Sequence, residues 1–172
     1  MKRISGVLAA AALAAMLGVT MGAAATAKAG GIMAEHAWAR ATMAAVKNGA
    51  AYVTLHNHGE QTGYVVAAET PVAKHAGLHG HSMKDGVMQM HAVERVEVAP
   101  GGTAVFEPGG LHIMLMQLDH PLKEGESFPL TLKLASGDSL DVTVKVKAMG
   151  AMSGGHGDHD HGGHEHEHEH ED

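Results

Sequence analysis

The stretch "SFPLTLKLASGDSLDVTVKVKA", residues 127–148, constrains the fold more than any other part of the chain. Leu130, Leu132 and Leu134 alternate with polar residues, and so do Val142, Val144 and Val146. A helix would scatter these side chains around its axis, whereas extended strands place them all on one face. Ser136-Gly137-Asp138 separates the two runs and supplies turn chemistry, so the segment reads as a β-hairpin with one buried face.

The same pattern recurs along the chain. "HAWARAT" alternates briefly, with Trp38 as the expected core anchor. "GAAYVTLHNHGEQTGYVVAAET" predicts a hairpin, with one strand over 51–57, a turn over 57–63 and a return strand over 64–68. "GVMQMHAVERVEVAPGG" predicts a strand, a break and a second short strand before Pro100-Gly101-Gly102. In "TAVFEPGGLHIMLMQL" a strand, a Pro108-Gly109-Gly110 turn and another strand follow one another. "LKEGE" fits either one helical turn or a loop. Short strands, frequent Gly/Pro turns and no long segment of period 3.6 predict an all-β sandwich or barrel.

Both ends differ from this body. The opening "MKRISGVLAAAALAAMLGVTMGAAATAKAGG" has a short basic start, an Ala-rich apolar run and small-residue sites ending at Ala25, Ala27 or Ala29. That is the layout of a cleaved secretory signal peptide over residues 1–29, and the run is too short and too weakly apolar for a membrane span. Export into the periplasm, with no stable membrane insertion, is the expectation. The chain contains no Cys, so it has neither disulfides nor a thiol for lipid attachment, and the fold rests on burial alone. From Met149 onward, "GAMSGGHGDHDHGGHEHEHEHED" cannot bury a core and is expected to be disordered without a ligand. Residues 30–148 therefore form one domain, and 149–172 a His/Asp/Glu-rich tail. Seven of the 19 acids lie in that tail, which leaves the body neutral despite a formal charge of -7. A neutral body lacks the basic footprint that nucleic acid requires.

No Cys nucleophile, Gly-x-Ser-x-Gly elbow, Walker or dinucleotide glycine pattern is present. The chain carries instead 16 His and 12 Met. On the strand "GGLHIMLMQL", alternation sends Leu111, Ile113 and Leu115 to one face and His112, Met114 and Met116 to the other. A second dense region, "LHGHSMKDGVMQMHAV", holds His79, His81, Met83, Met88, Met90 and His91. A single Met in such a place is ordinarily core filler, and Met88 or Met116 alone would be read so.

The spacing points elsewhere. Ten residues separate His79 from Met90, twenty-one separate Met90 from His112, and one separates His112 from Met114. This order resembles the copper-binding pattern of the PCu(A)C family of periplasmic copper chaperones. "AWARAT", "GAAYVTLHNHG", "MKDGVMQMHAVE", "PGGLHIMLMQLDHPLKEGE" and "PLTL" are similar to that family as well, over about Glu35 to Val146. The resemblance implies a cupredoxin-like β-barrel holding one Cu(I) through His79, Met90, His112 and Met114. It also implies a role as a chaperone, not an enzyme, delivering Cu(I) to the CuA subunit of a cytochrome oxidase alongside a thioredoxin-like Sco protein. One departure is His81, where family members often carry Met. It could be an alternative ligand or a solvent-facing neighbour, and it is read here as the neighbour. A monomer is expected.

Donor chemistry agrees with that resemblance. Thioether sulfur is a soft neutral donor that favours Cu(I) over hard ions, and it needs no deprotonation. A blue-copper site would need a Cys thiolate, and catalytic zinc gives no reason for Met. In the tail, His156, His159, His161, His164, His166, His168 and His170 alternate with acids, a donor set suited to Cu(II) or Zn(II). Met149 and Met152 precede it and could join a Cu(I) site there. The rival reading is a periplasmic copper or zinc buffering or resistance protein in which the tail dominates.

Overall fold

The computed structural model describes residues 27–152. Residues 1–26 of the expected signal peptide over 1–29 and the tail histidines lie outside the described residues. Among the described residues there are eleven strands: β1 (Ala27–Ala29), β2 (Ile32–Arg40), β3 (Asn48–Asn57), β4 (Gly63–Glu69), β5 (Ala73–Lys84), β6 (Val87–Ala92), β7 (Val96–Val98), β8 (Thr103–Val105), β9 (His112–Leu118), β10 (Ser127–Leu134) and β11 (Ser139–Lys147). The described residues are all-β, as alternation predicted. "LKEGE" is a turn, and no helix among the described residues is long and apolar enough to cross a membrane.

Strand order runs β2-β11-β10-β4-β5-β9-β3, and β3 pairs again with β2, so the sheet closes into a barrel. β11 meets β2 in parallel, with Lys145 opposite Trp38, while the other pairings are antiparallel. The β10–β11 hairpin forms with its predicted turn, and its alternating leucines and valines point inward. They meet Ile32, Val53, Leu55, Val65, Ile113 and Leu115 in one continuous core. Trp38 is buried as expected, its ring 4.6 Å from that of Tyr52. β1 falls at the end of the expected leader, where it pairs with Ile32–Ala34 of β2.

The expected hairpin over 51–68 does not form. β3 pairs with β2, β8 and β9, and β4 pairs with β5, β7 and β10, so the two strands cross between different parts of the barrel. Asn57, only 1% exposed, organises that crossing. Its amide donates to the carbonyls of Gln61 and Val98, and its Oδ1 accepts from the Gly59 N–H. With both ends of the side chain engaged, a tight two-strand turn is replaced by an arch. β5 is the other surprise. Its sequence, "AKHAGLHGHSMK", lacks an apolar alternation, yet it is the longest strand.

Candidate metal centre

Register places the donors. In β5 and β9, His79 lies opposite His112, Gly77 opposite Met114, and His75 opposite Met116. In β5 and β6, His81 lies opposite Met90. Directly opposed residues of antiparallel strands share a face, so His79, His81, Met90, His112 and Met114 all project from the same, outer side of the barrel wall. The inner side carries Leu78, Ile113 and Leu115 into the core. Met114 is flanked across both neighbouring strands by Gly77 and Ala50, whose small size leaves a depression above it. That depression, about 350 Å³, is lined by His81, Met90, His112 and Met114, with Arg40 and Tyr52 at its edge. His79 closes the far side of His112, their ring centroids 5.9 Å apart.

Among the described residues, the buried polar side chains are Asn57 and His112. Asn57 is accounted for by the arch. His112, 4% exposed on an outer face, is covered by its neighbouring donors. Its Nδ1 lies 3.1 Å from the Gly110 carbonyl and its Nε2 lies 3.2 Å from the Met90 sulfur. A carbonyl can only accept, so Nδ1 carries the proton and donates to it. In the neutral ring, Nε2 then presents a lone pair toward the lone pairs of a thioether. Two facing donors of electron density at that separation fit a cation between them. His79 and His81 repeat the arrangement, with Nδ1 3.3 Å from the carbonyls of Gly77 and Gly110 respectively. Backbone carbonyls thus orient three imidazoles with Nε2 free, as metal-ligating histidines require.

Burial pushes the His112 pKa below its ordinary value; the Gly110 carbonyl opposes this, and His81 and His79 add to it. The neutral ligand form therefore persists to lower pH. Tyr52 is shifted upward by burial, against the effect of Arg40, so it remains a phenol. Among the described residues no three His, Asp or Glu side chains form a metal-holding group. The donors gathered on this wall are imidazoles and thioethers without a carboxylate, a set that suits a soft ion better than a hard one.

The four residues picked out by spacing thus share one face, and His81 joins them. His81 is half-buried, and its ring is 5.1 Å from that of His112, nearer than His79. Met116 shares the face but sits beside His75 and Asn48, outside the depression. Arg40, Tyr52 and Gly77 had no local signal: barrel closure brings them in from β2, β3 and β5. A Cβ at Gly77 would stand 3.4 Å from His79 Cε1, so the glycine keeps space for the imidazole. Arg40 also donates through Nε to the Ala151 carbonyl at 2.8 Å and through Nη2 to the Met152 sulfur at 3.1 Å. Met152 therefore lies at the rim residue Arg40, while Met149 is exposed with no place in the depression.

A family model described as "Putative lipoprotein LpqE-like" matches residues 32–146. A curated relative, "Putative lipoprotein Lxx21020" of Leifsonia xyli subsp. xyli, is 34% identical over 121 residues, covering 70% of this chain and 72% of the relative. Among solved structures, the Cu(I) form of DR1885 from Deinococcus radiodurans is 35% identical, with TM-score 0.52 over 64% of this chain and 74% of that one. The apo PCuAC domain of PmoF2 shares the fold, with TM-score 0.62 at 19% identity over 75% of this chain and 99% of that domain. Together with the pattern of donors on its barrel wall, these matches make the chain a member of the LpqE-like family with a domain of the PCuAC, cupredoxin-like type.

Proposed function

We propose that this protein is an exported copper chaperone that carries Cu(I) between His79, Met90, His112 and Met114. The observation that carries this reading is the buried His112 Nε2 lone pair facing the Met90 sulfur at 3.2 Å, with His79 and Met114 on the same face. Two neutral nitrogens and two neutral sulfurs favour a soft monovalent ion and leave it a single positive charge. No proton need leave when the metal enters, because Nδ1 keeps its own. The existence of a Cu(I) form of the D. radiodurans relative supports the same cargo. The site lies in an open depression, so an acceptor can reach the metal without unfolding the carrier.

Delivery to the CuA subunit of a cytochrome oxidase, working with a Sco-like protein, is the role that fits a reversible neutral-donor site in an oxidising compartment. Kinship with relatives described as lipoproteins supports export. Without Cys in these 172 residues, a thiol-linked lipid has no attachment point, and a protein released into the periplasm by cleavage is the form proposed. The tail histidines from His156 to His170 would add a Cu(II) or Zn(II) store, which is also what the buffering alternative would use.

Anaerobic Cu(I) titration with X-ray absorption tests the site. One ion with mixed sulfur and nitrogen scattering is expected, and Met90→Ala and Met114→Ala should each lose sulfur scattering. Unchanged spectra in both variants would end the assignment. Gene deletion that lowers oxidase activity under copper scarcity supports delivery, whereas metal sensitivity with a normal oxidase supports buffering.

A further inference from the structure

Beyond His79 the donors continue outward. β6 pairs with β5 alone, and all six of its residues are exposed, so beyond His79 the two strands form a ribbon that projects from the barrel and touches it through Met90 and His81. Its tip is Asp85-Gly86, with φ of 52° and 76°, the geometry of a two-residue hairpin turn with both central residues left-handed. That turn fixes the register, and the register stacks donors in rungs. Met83 faces Met88 at the tip, His81 faces Met90 below it, and His79 faces Ala92 on one side and His112 on the other. The alternate residues, including Ser82, Gln89 and His91, occupy the reverse face.

The tip pair is not packing material. Met83 is 66% exposed and Met88 58%. An exposed ribbon position suits Thr, Val or Tyr better than Met, and an exposed thioether is open to oxidation. We infer that Met83 and Met88 form a surface loading site for Cu(I), from which the ion passes by way of His81 and Met90 to the pocket at His112. This rests on Cu(I) being the cargo of that pocket.

The register holds the two Cβ atoms of the tip rung about 5 Å apart, close enough for both sulfurs to bind one soft ion. A third position stays open for a donor from the molecule that brings the metal. Two neutral sulfurs bind more weakly than the pocket's four donors, so the ion moves inward. At each step a bond to the next donor forms as one to the previous donor breaks. The metal remains Cu(I), no electron is transferred, and no proton moves. Successive rungs lie about 7 Å apart along the strand, a gap that long, flexible thioether side chains can shorten. Met90 links the levels, since it faces His81 across the ribbon and touches His112 Nε2.

The full chain and its Met83→Leu/Met88→Leu variant, both retaining the tail, are compared by anaerobic stopped-flow transfer of Cu(I) from its bicinchoninate complex. Pocket affinity should stay within about twofold while the acquisition rate falls about tenfold. An unchanged rate overturns the proposal. So does an affinity loss matching that of Met90→Ala, because the sulfurs would then belong to the pocket itself. A measurement on the unsubstituted protein guards against a misfolded ribbon. Methyl-labelled Met83 and Met88 should shift in NMR spectra on passing one equivalent of Cu(I), and static resonances count against the site. If the unsubstituted protein takes up no Cu(I) even at one equivalent, both this proposal and the copper-carrier reading fall. Intact uptake with unchanged kinetics removes the ribbon site alone.

Discussion

The β10–β11 and β5–β6 hairpins are built alike, from antiparallel strands in regular register joined by short glycine turns, yet they are opposites in use. In the first, every second residue is buried, and the strands are flanked by β4 and β2. In the second, β6 has one neighbour and no buried residue, and β5 leaves the barrel before reaching its turn. Leucines and valines in β10–β11 hold the barrel together. Methionines and histidines in β5–β6 contribute little to the core and present donor atoms instead. Hairpin geometry is therefore neutral between structure and function, and what lies on the next strand decides which it serves.

Substitutions can break that contrast. Leu132→Ala, in the fully buried row of β10, should destabilise the protein by about 3 kcal/mol in urea unfolding. Met88→Ala at the ribbon should cost less than about 0.5 kcal/mol. Comparable losses at the two positions would mean the ribbon packs after all. His112→Ala should lower Cu(I) affinity by about 100-fold or more in chelator competition, since even a supporting contact to a metal ligand is worth about 10- to 100-fold. Gly77→Val, which pushes on the His79 ring without removing a donor, should cost about tenfold in the same assay, with the barrel intact by circular dichroism.

A smaller effect concerns protons. His112 has its pKa held below the unfolded value by burial, so the unfolded state binds a proton more readily. The metal-free protein should accordingly lose stability as pH falls below about 6.5, toward the lowered folded value, and lose no more from this group beyond it. His112→Leu should remove that part of the slope in thermal unfolding. A slope that persists would assign it to other groups.

Much of this was readable before any coordinates. The runs 127–134 and 139–147 announced a one-faced hairpin because Leu and Val recur with period two, and β9 did so with two kinds of face at once. The donors at 79, 90, 112 and 114 were picked out because their spacing resembles the PCu(A)C pattern, and the softness of thioether donors agrees with that resemblance. β5 was not readable, since its outward residues are His, Gly and Met and its inward ones include Gly80, so no apolar alternation remained. The arch between β3 and β4 was misread as a hairpin because both strands carry suitable residues and the signal for the crossing is a single Asn57. His81 looked solvent-facing because its cover comes from His112 and Met90, 31 and nine residues away.

Outside β5, sequence by itself determined which segments are extended and which side of the alternating ones faces the core, and it fixed which donor atoms are available. Those are local matters, set by side-chain alternation and by the chemistry of each residue. Only the tertiary structure decided which strands are neighbours, that His112 is buried on an outer face, and that Arg40 and Tyr52 line the same depression. Pairing joins residues far apart in the chain, and its energy comes from closing the barrel as a whole, which no short stretch encodes.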